Sequence, residues 1–405
     1  MKSTTTSSSS RQAPFSDRHD LQLKDGPVAE SSSIFNPTRA RFQHTPRAND
    51  VSSSTSESAG QATPELTTTA QFQWRSRDNR KGRHTLVVPL DHAAQGLPAP
   101  TSSAKAVAKG IGRMFTTFPW WDVSFLVAFF FSVGCAVFIV CGFFYWLPLA
   151  APDTEFPNES DIGGGIISFI GGTLFEIGAI FLMIEATNEN QQGCFGWELE
   201  HALTGHDKLH PGSLIYKPEE STCGHHHCQK QGLVKGAPGS KGTERRWEWY
   251  PTWHELRTHY FHEIGFLGSF TEFVGASVFY INTILALPGI YNHLSQGVLW
   301  GLYSLTYLVG GVLFILSSAL YMLETQPNWY TPAPHLLGWW VGVWNMVGSV
   351  GWTLAAALGY CTLSACEYQS DLTLIWASVA FLIGSLVLWY EALHKYPVEK
   401  EGYKS

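Results

Sequence analysis

From residue 123 onward the chain is divided by six long apolar runs, near 123–148, 164–186, 263–288, 298–323, 336–360 and 373–392. Each is long enough to cross about 30 Å of hydrocarbon as a helix. The first, VSFLVAFFFSVGCAVFIVCGFFYWLPL, carries no charge at all. The fifth, LLGWWVGVWNMVGSVGWTLAAALGY, is rich in Gly and Trp, which suits close helix contact and an aromatic belt. The pattern predicts an all-α membrane protein of six transmembrane helices.

The polar stretches read differently. Residues 1–103 are rich in Ser, Thr, Pro and Gln and hold few aliphatic clusters, so they are expected to be a disordered tail. In the 104–119 segment, Lys105, Lys109 and Arg113 recur every four residues and share one helical face. Val107, Ile111, Met114 and Phe118 lie off that face. This predicts a short interfacial helix against an anionic leaflet, with the bilayer itself as the main partner.

The even-numbered apolar runs repeat one pattern: GGTLFEIGAIFLMIE, GGVLFILSSALYMLE and ASVAFLIGSLVLWYE. Glu185, Glu324 and Glu391 end it; Phe175, Phe314 and Phe381 stand ten positions earlier, and Gly178, Ser317 and Gly384 seven positions earlier. The odd-numbered runs align on Gly134, Gly275 and Gly348, each followed four residues later by an aromatic, Phe138, Phe279 or Trp352. The membrane domain therefore reads as three parallel helical-hairpin repeats, 120–186, 262–324 and 325–393, with a His/Cys-containing loop at 187–261 and a tail at 394–405.

Charge distribution orients the bundle. Of the 26 Lys and Arg, 15 precede the first run, 8 lie between the second and third, and 3 follow the last. The loops after the first, third and fifth runs have none. Basic residues flanking a span resist translocation, so both termini are expected on the cytoplasmic side. The sequon at Asn158 and the pair Cys361 and Cys366 then fall outside, where glycosylation and a disulfide are candidates. Cys135 and Cys141 lie within the first run as packing residues. With 45% hydrophobic and only 15% charged residues, the chain departs from soluble domains, and no nucleic-acid partner is expected.

The hairpin with a Gly-aromatic first helix and a G-x-x-F second helix resembles the YrhK-like hairpin module. RRWEWYPTWHELRTHYFHEIGFLGSF, ALPGIYNHL, LETQPNWYTPAPHLLGWWVGVWN and WYEALHKYPV resemble fungal polytopic integral membrane proteins of unassigned activity. The resemblance covers most of residues 120–400 and implies fold and location alone. It transfers no catalytic residue.

Candidate chemistry falls in three places. Glu176 and Glu272 sit at mid-membrane depth, and Asn345 occupies the repeat position of Glu272. A carboxylate there serves either as a proton or substrate group or as a protonated structural contact. Glu185, Glu324 and Glu391 end their helices, where negative charge opposes the helix dipole. Pairing with His262 and His335, or with Trp, across the repeats is expected. In the 187–261 loop, CGHHHC (Cys223, His225, His226, His227, Cys228) offers thiolate and imidazole ligands for Zn or Cu, though in no known finger spacing. The stretch WHELRTH places His259 one residue too late for a zinc-protease helix, and reads as an interfacial helix. No nucleotide loop, nucleophile triad or haem motif is present, so no enzyme and no required cofactor are expected. The chain is expected to handle small molecules or ions or to act as a membrane scaffold; the alternative is a sensor whose His/Cys loop binds metal.

Overall fold

The computed structural model describes residues 21–23, 35–44, 71–90, 98–196, 198–199 and 247–401. Its helices are α1 (Ser76–Arg80), α2 (Ala104–Met114), α3 (Val123–Ala150), α4 (Gly165–Thr187), α5 (Trp253–Thr258), α6 (Ile264–Leu285), α7 (Leu305–Thr325), α8 (Leu337–Leu358) and α9 (Ser364–Leu393). Turns of π-helix, Glu159–Gly164 and Leu299–Ser304, lead directly into α4 and α7. Six helices, α3, α4 and α6 to α9, are long and apolar enough to cross a membrane.

The observed spans match the apolar runs, except that α9 begins at Ser364, well before 373. The cause is local: a disulfide joins Cys361 to Cys366, so the chain turns back at once, and Glu367 in the first turn favours a helix start. The expected loop CTLSAC is therefore half helix.

Each long helix packs on its neighbours in sequence, and α9 closes onto α3. The result is an up-and-down ring of six. Val140, Ile170, Val312, Leu316, Val350 and Leu386 remain exposed on its outside, an apolar surface suited to lipid.

The matched positions meet on the axis of this ring. Phe138, Phe175, Phe279, Phe314, Trp352 and Phe381 form one aromatic layer, with Trp352 packed 4.8 Å from both Phe279 and Phe381 and 5.0 Å from Phe138. All six are buried. The glycines set the approach: a Cβ at Gly134, Gly275 or Gly348 would lie 2.5–3.1 Å from the ring of Phe175, Phe314 or Phe381 in its own hairpin. Small residues thus let each helix pair close until its aromatic reaches the axis.

The N-terminal region contains more structure than its composition suggests. Five short strands form one sheet: β1 (Leu21–Leu23), β2 (Arg39–His44), β3 (Gln71–Arg75), β4 (Thr85–Val88) and β5 (Val398–Lys400), in that order. β1 to β4 pair antiparallel, and β5, from the C-terminal tail, adds parallel to β4. The expectation of a disordered 1–103 tail is corrected for 21–23, 35–44 and 71–90. Phe42, Val88 and Val398 are buried in this small sheet, which supplies the core the composition hid. Arg75 ties the sheet together through two hydrogen bonds to Glu399, at 2.9 and 2.8 Å.

A helix, α2, forms within the expected 104–119 segment. Ser103 caps it, and none of its residues is buried, with Lys105, Lys109, Arg113, Val107 and Ile111 all exposed.

Candidate functional site

The short helix α1 and the turn after it carry the sequence SRDNRKGR, and they lie across one end of the ring. Arg77, Arg80, Lys81 and Arg83 are all buried there. Each of the three repeated glutamates takes cations from this plug. Arg77 grips Glu391 in two-pronged fashion, Nε to Oε1 at 3.1 Å and Nη2 to Oε2 at 2.7 Å. Arg80 does the same to Glu324, at 2.6 and 2.9 Å. Lys81 Nζ lies 3.1 and 3.3 Å from the oxygens of Glu185. Arg83 bridges Glu391 (2.9 Å) and Asp78 (2.7 Å). Arg75 also reaches Asp78, at 3.2 Å, while holding Glu399, so five cations face five carboxylates, Asp78, Glu185, Glu324, Glu391 and Glu399, and the formal charges of the network balance.

The expected pairing with His262 and His335 is therefore corrected: the partners of the three glutamates are the plug cations. His335 is exposed, and the His262 carbonyl instead accepts the Asn36 N–H at 2.7 Å. The physical reason is charge. A carboxylate at a helix C-terminus needs a permanent cation, and a guanidinium matches it with two parallel bonds.

The matched positions also make room for the plug. The starts of the odd-numbered spans present Ser124, Gly265 and Gly338. A methyl group at Gly265 would overlap Arg80, and one at Gly338 would overlap Arg77. Ser124 is fully buried beside Glu185. Burial alone lowers the proton affinity of each buried cation. For Arg77 and Arg80 the attraction of Glu391 and Glu324 more than offsets it, and both guanidiniums sit above their ordinary range. For Lys81 burial wins over Glu185, and the ammonium sits below its ordinary range.

Beneath the plug lies a cavity of about 30 Å³, lined by Arg77, Arg80, Lys81, Glu272, Tyr321 and Asn345 among others. One ordered water needs about 10–15 Å³ by the same measure, so the space has room for about two waters. Glu272 is 6% exposed and lies against Ser317, whose hydroxyl donates to the Gly268 carbonyl at 2.8 Å. Tyr321 takes Arg77 and Arg80 over its ring, at 5.9 and 5.6 Å. Phe175 and Phe381, from the aromatic layer, form the other wall.

The two mid-membrane acids part company here. Glu272 and Asn345 line the cavity. Glu176 instead receives a hydrogen bond from Ser277 of α6 at 2.9 Å, across the seam between the first two hairpins.

Asn158 is exposed in the loop after α3, at the end of the ring away from the plug, as is the disulfide. Cys223, His225, His226, His227 and Cys228 lie outside the described residues. Both flanks of their loop are held in place: Asn188 and Glu248 exchange two hydrogen bonds at 2.8 Å, and Cys194, Phe195 and Trp247 pack against the start of α3. The plug residues Arg77, Arg80 and Lys81 were missed by sequence reasoning. Their signal was the five cations among the nine residues 75–83, embedded in QFQWRSRDNRKGRHTLVV.

No family model matches the chain, and neither the curated proteins nor the solved structures contain a match to it.

Proposed function

We propose that this integral membrane protein handles protons or another water-sized ion, with Glu272 as its internal site and the 76–83 segment as a removable plug. One observation carries the reading: an acid inside a cavity with room for about two waters, closed by a neutral ionic plug on one side and an aromatic layer on the other. Ionisable groups at this depth are costly and mark ion or proton paths more often than not. A space of about 30 Å³ suits waters and small ions.

The finer features belong to the same proposal. The basic flanks Arg113, Arg257 and Lys395 support cytoplasmic termini, and with them a plug facing the cytoplasm. The shared packing of matched glycines and aromatics supports reading the three hairpins as copies of one YrhK-like unit. The exposed cationic face of α2 supports contact with anionic lipid.

Proton flux into liposomes tests the proposal, read by an internal pH dye under an imposed gradient. Wild-type protein should pass protons slowly. Gly338→Ala, which displaces Arg77, should accelerate flux, and adding Glu272→Gln should return it to the wild-type rate. The proposal fails if monodisperse Gly338→Ala protein is no faster than wild type, or if its flux survives Glu272→Gln. The bundle would then be a membrane scaffold.

A further inference from the structure

At the margin of the plug three side chains from separate elements converge. Glu189 follows the end of α4, His259 ends α5, and Glu263 caps the start of α6. They are 6%, 2% and 8% exposed. One ligating atom of each lies within 4.8 Å of the other two. His259 Nε2 stands 3.4 Å from Glu263 Oε1. That is long for a hydrogen bond between such groups. It is the edge expected of a zinc tetrahedron, since bonds of about 2.0–2.1 Å place two ligands about 3.4 Å apart.

We propose that Glu189, His259 and Glu263 form a binding site for a divalent transition-metal ion, with Zn²⁺ the best fit to the donors. Imidazole nitrogen and carboxylate oxygen are both ordinary zinc ligands. Glu263 faces Glu189, Asn36 and Arg80, and that Arg80 is shared with Glu324 and Glu185. A dication between the two carboxylates would add to the positive charge already there. The surroundings also have the form of an outer shell: Asn79 Nδ2 donates to Glu189 Oε2 at 2.9 Å and fixes that carboxylate. Asn79 belongs to α1, and its own carbonyl accepts from Asn190 N at 2.9 Å. A metal here would tie the plug to the ends of two membrane spans.

The neighbouring HE pair takes no part. Glu255 is engaged in a capping box with Thr252, and His254 is exposed. The stretch WHELRTH thus offers its metal ligand through His259 and not through the protease-like dipeptide. Binding at this site does not depend on the proposed ion path, and its test reads metal, not flux.

The test uses the full-length chain in detergent with the competing cluster silenced by Cys223→Ser, Cys228→Ser and alanine at His225, His226 and His227. The protein is stripped with a chelator, equilibrated with zinc chloride, washed and analysed for zinc by mass spectrometry, with affinity from calorimetry. One zinc per chain is expected, accompanied by a rise in unfolding temperature. His259→Ala should weaken affinity about 100-fold or more and abolish the thermal shift, a loss at or beyond the upper end of outer-shell substitutions. Should that variant fail gel filtration, Glu189→Gln, which preserves size, is the second measurement and should show the same loss. No bound zinc on the silenced chain, or undiminished zinc on a folded variant, overturns the site.

Discussion

Glu391 offers the sharpest test of the plug. It is fully buried and holds both Arg77 and Arg83. Glu391→Gln keeps the shape but removes the charge. Arg83 retains Asp78 at 2.7 Å, whereas Arg77 is left as a buried guanidinium with one neutral acceptor. Removing one partner of a buried ion pair costs about 3–5 kcal/mol, because the other charge stays uncompensated. At about 1.36 kcal/mol per decade, local opening of the plug becomes about 160- to 5,000-fold more frequent.

Hydrogen exchange measures that opening directly. Amides of α1 and β4 should lose protection by that factor, while amides of α3 and α8, held within the ring, should change little. Glu255→Gln is the control, since Glu255 serves a local capping box outside the plug. Protection of 76–88 within about threefold of wild type would refute the reasoning, because the opening would then cost far less than a buried unpaired charge requires. Equal loss in α3 and the plug would refute it too, since the two would then open as one body.

Two further outcomes follow from the same structure. Burial, with Arg83 and Arg113 nearby, holds His394 down at about 4 against an ordinary 6.5, so it is neutral in the folded protein. Between those values the unfolded chain binds the proton and the folded chain does not, so stability rises with pH from about 4 to 6.5 and then levels; the pH dependence of thermal unfolding should flatten over that window in His394→Gln. Trp352, at the centre of the aromatic layer, should cost about 3–5 kcal/mol on truncation to Ala; an unfolding temperature within about 2 °C of wild type would show that the layer is not tightly packed.

Much of this architecture was legible, and the particular failures are instructive. The six spans follow from apolar runs, because hydrocarbon imposes length and hydropathy on each helix separately. The aromatic layer was legible as a recurring spacing, since each of the three helix pairs sets a Gly against a Phe. The need for positive charge at Glu185, Glu324 and Glu391 was legible from the helix dipole. Its source was not. Arg77 and Arg80 lie in a five-residue helix flanked by short strands, with Lys81 just after it, and the contact between Arg77 and Glu391 spans 314 residues. Counting those cations as markers of topology obscured that they were partners. The Glu189–His259–Glu263 cluster was hidden for a similar reason, because it joins the two ends of a long loop and no single helix face carries it.

The departures from the three-fold pattern gather around the proposed ion site. One matched position reads Phe131, Glu272 and Asn345, another reads Leu182, Tyr321 and Leu388, and all six side chains line the cavity. The first hairpin shows what packing alone asks for at these places, a Phe and a Leu. An acid in place of Phe costs the bundle roughly 2.5–3.5 kcal/mol on insertion scales and forfeits aromatic contact. Glu272 also shares its cavity with Arg77, Arg80 and Lys81. Withdrawing the plug removes positive potential from around that acid, and a change of charge on the acid alters the attraction that keeps the plug in place. The two events are therefore linked reciprocally, by the same free energy in each direction.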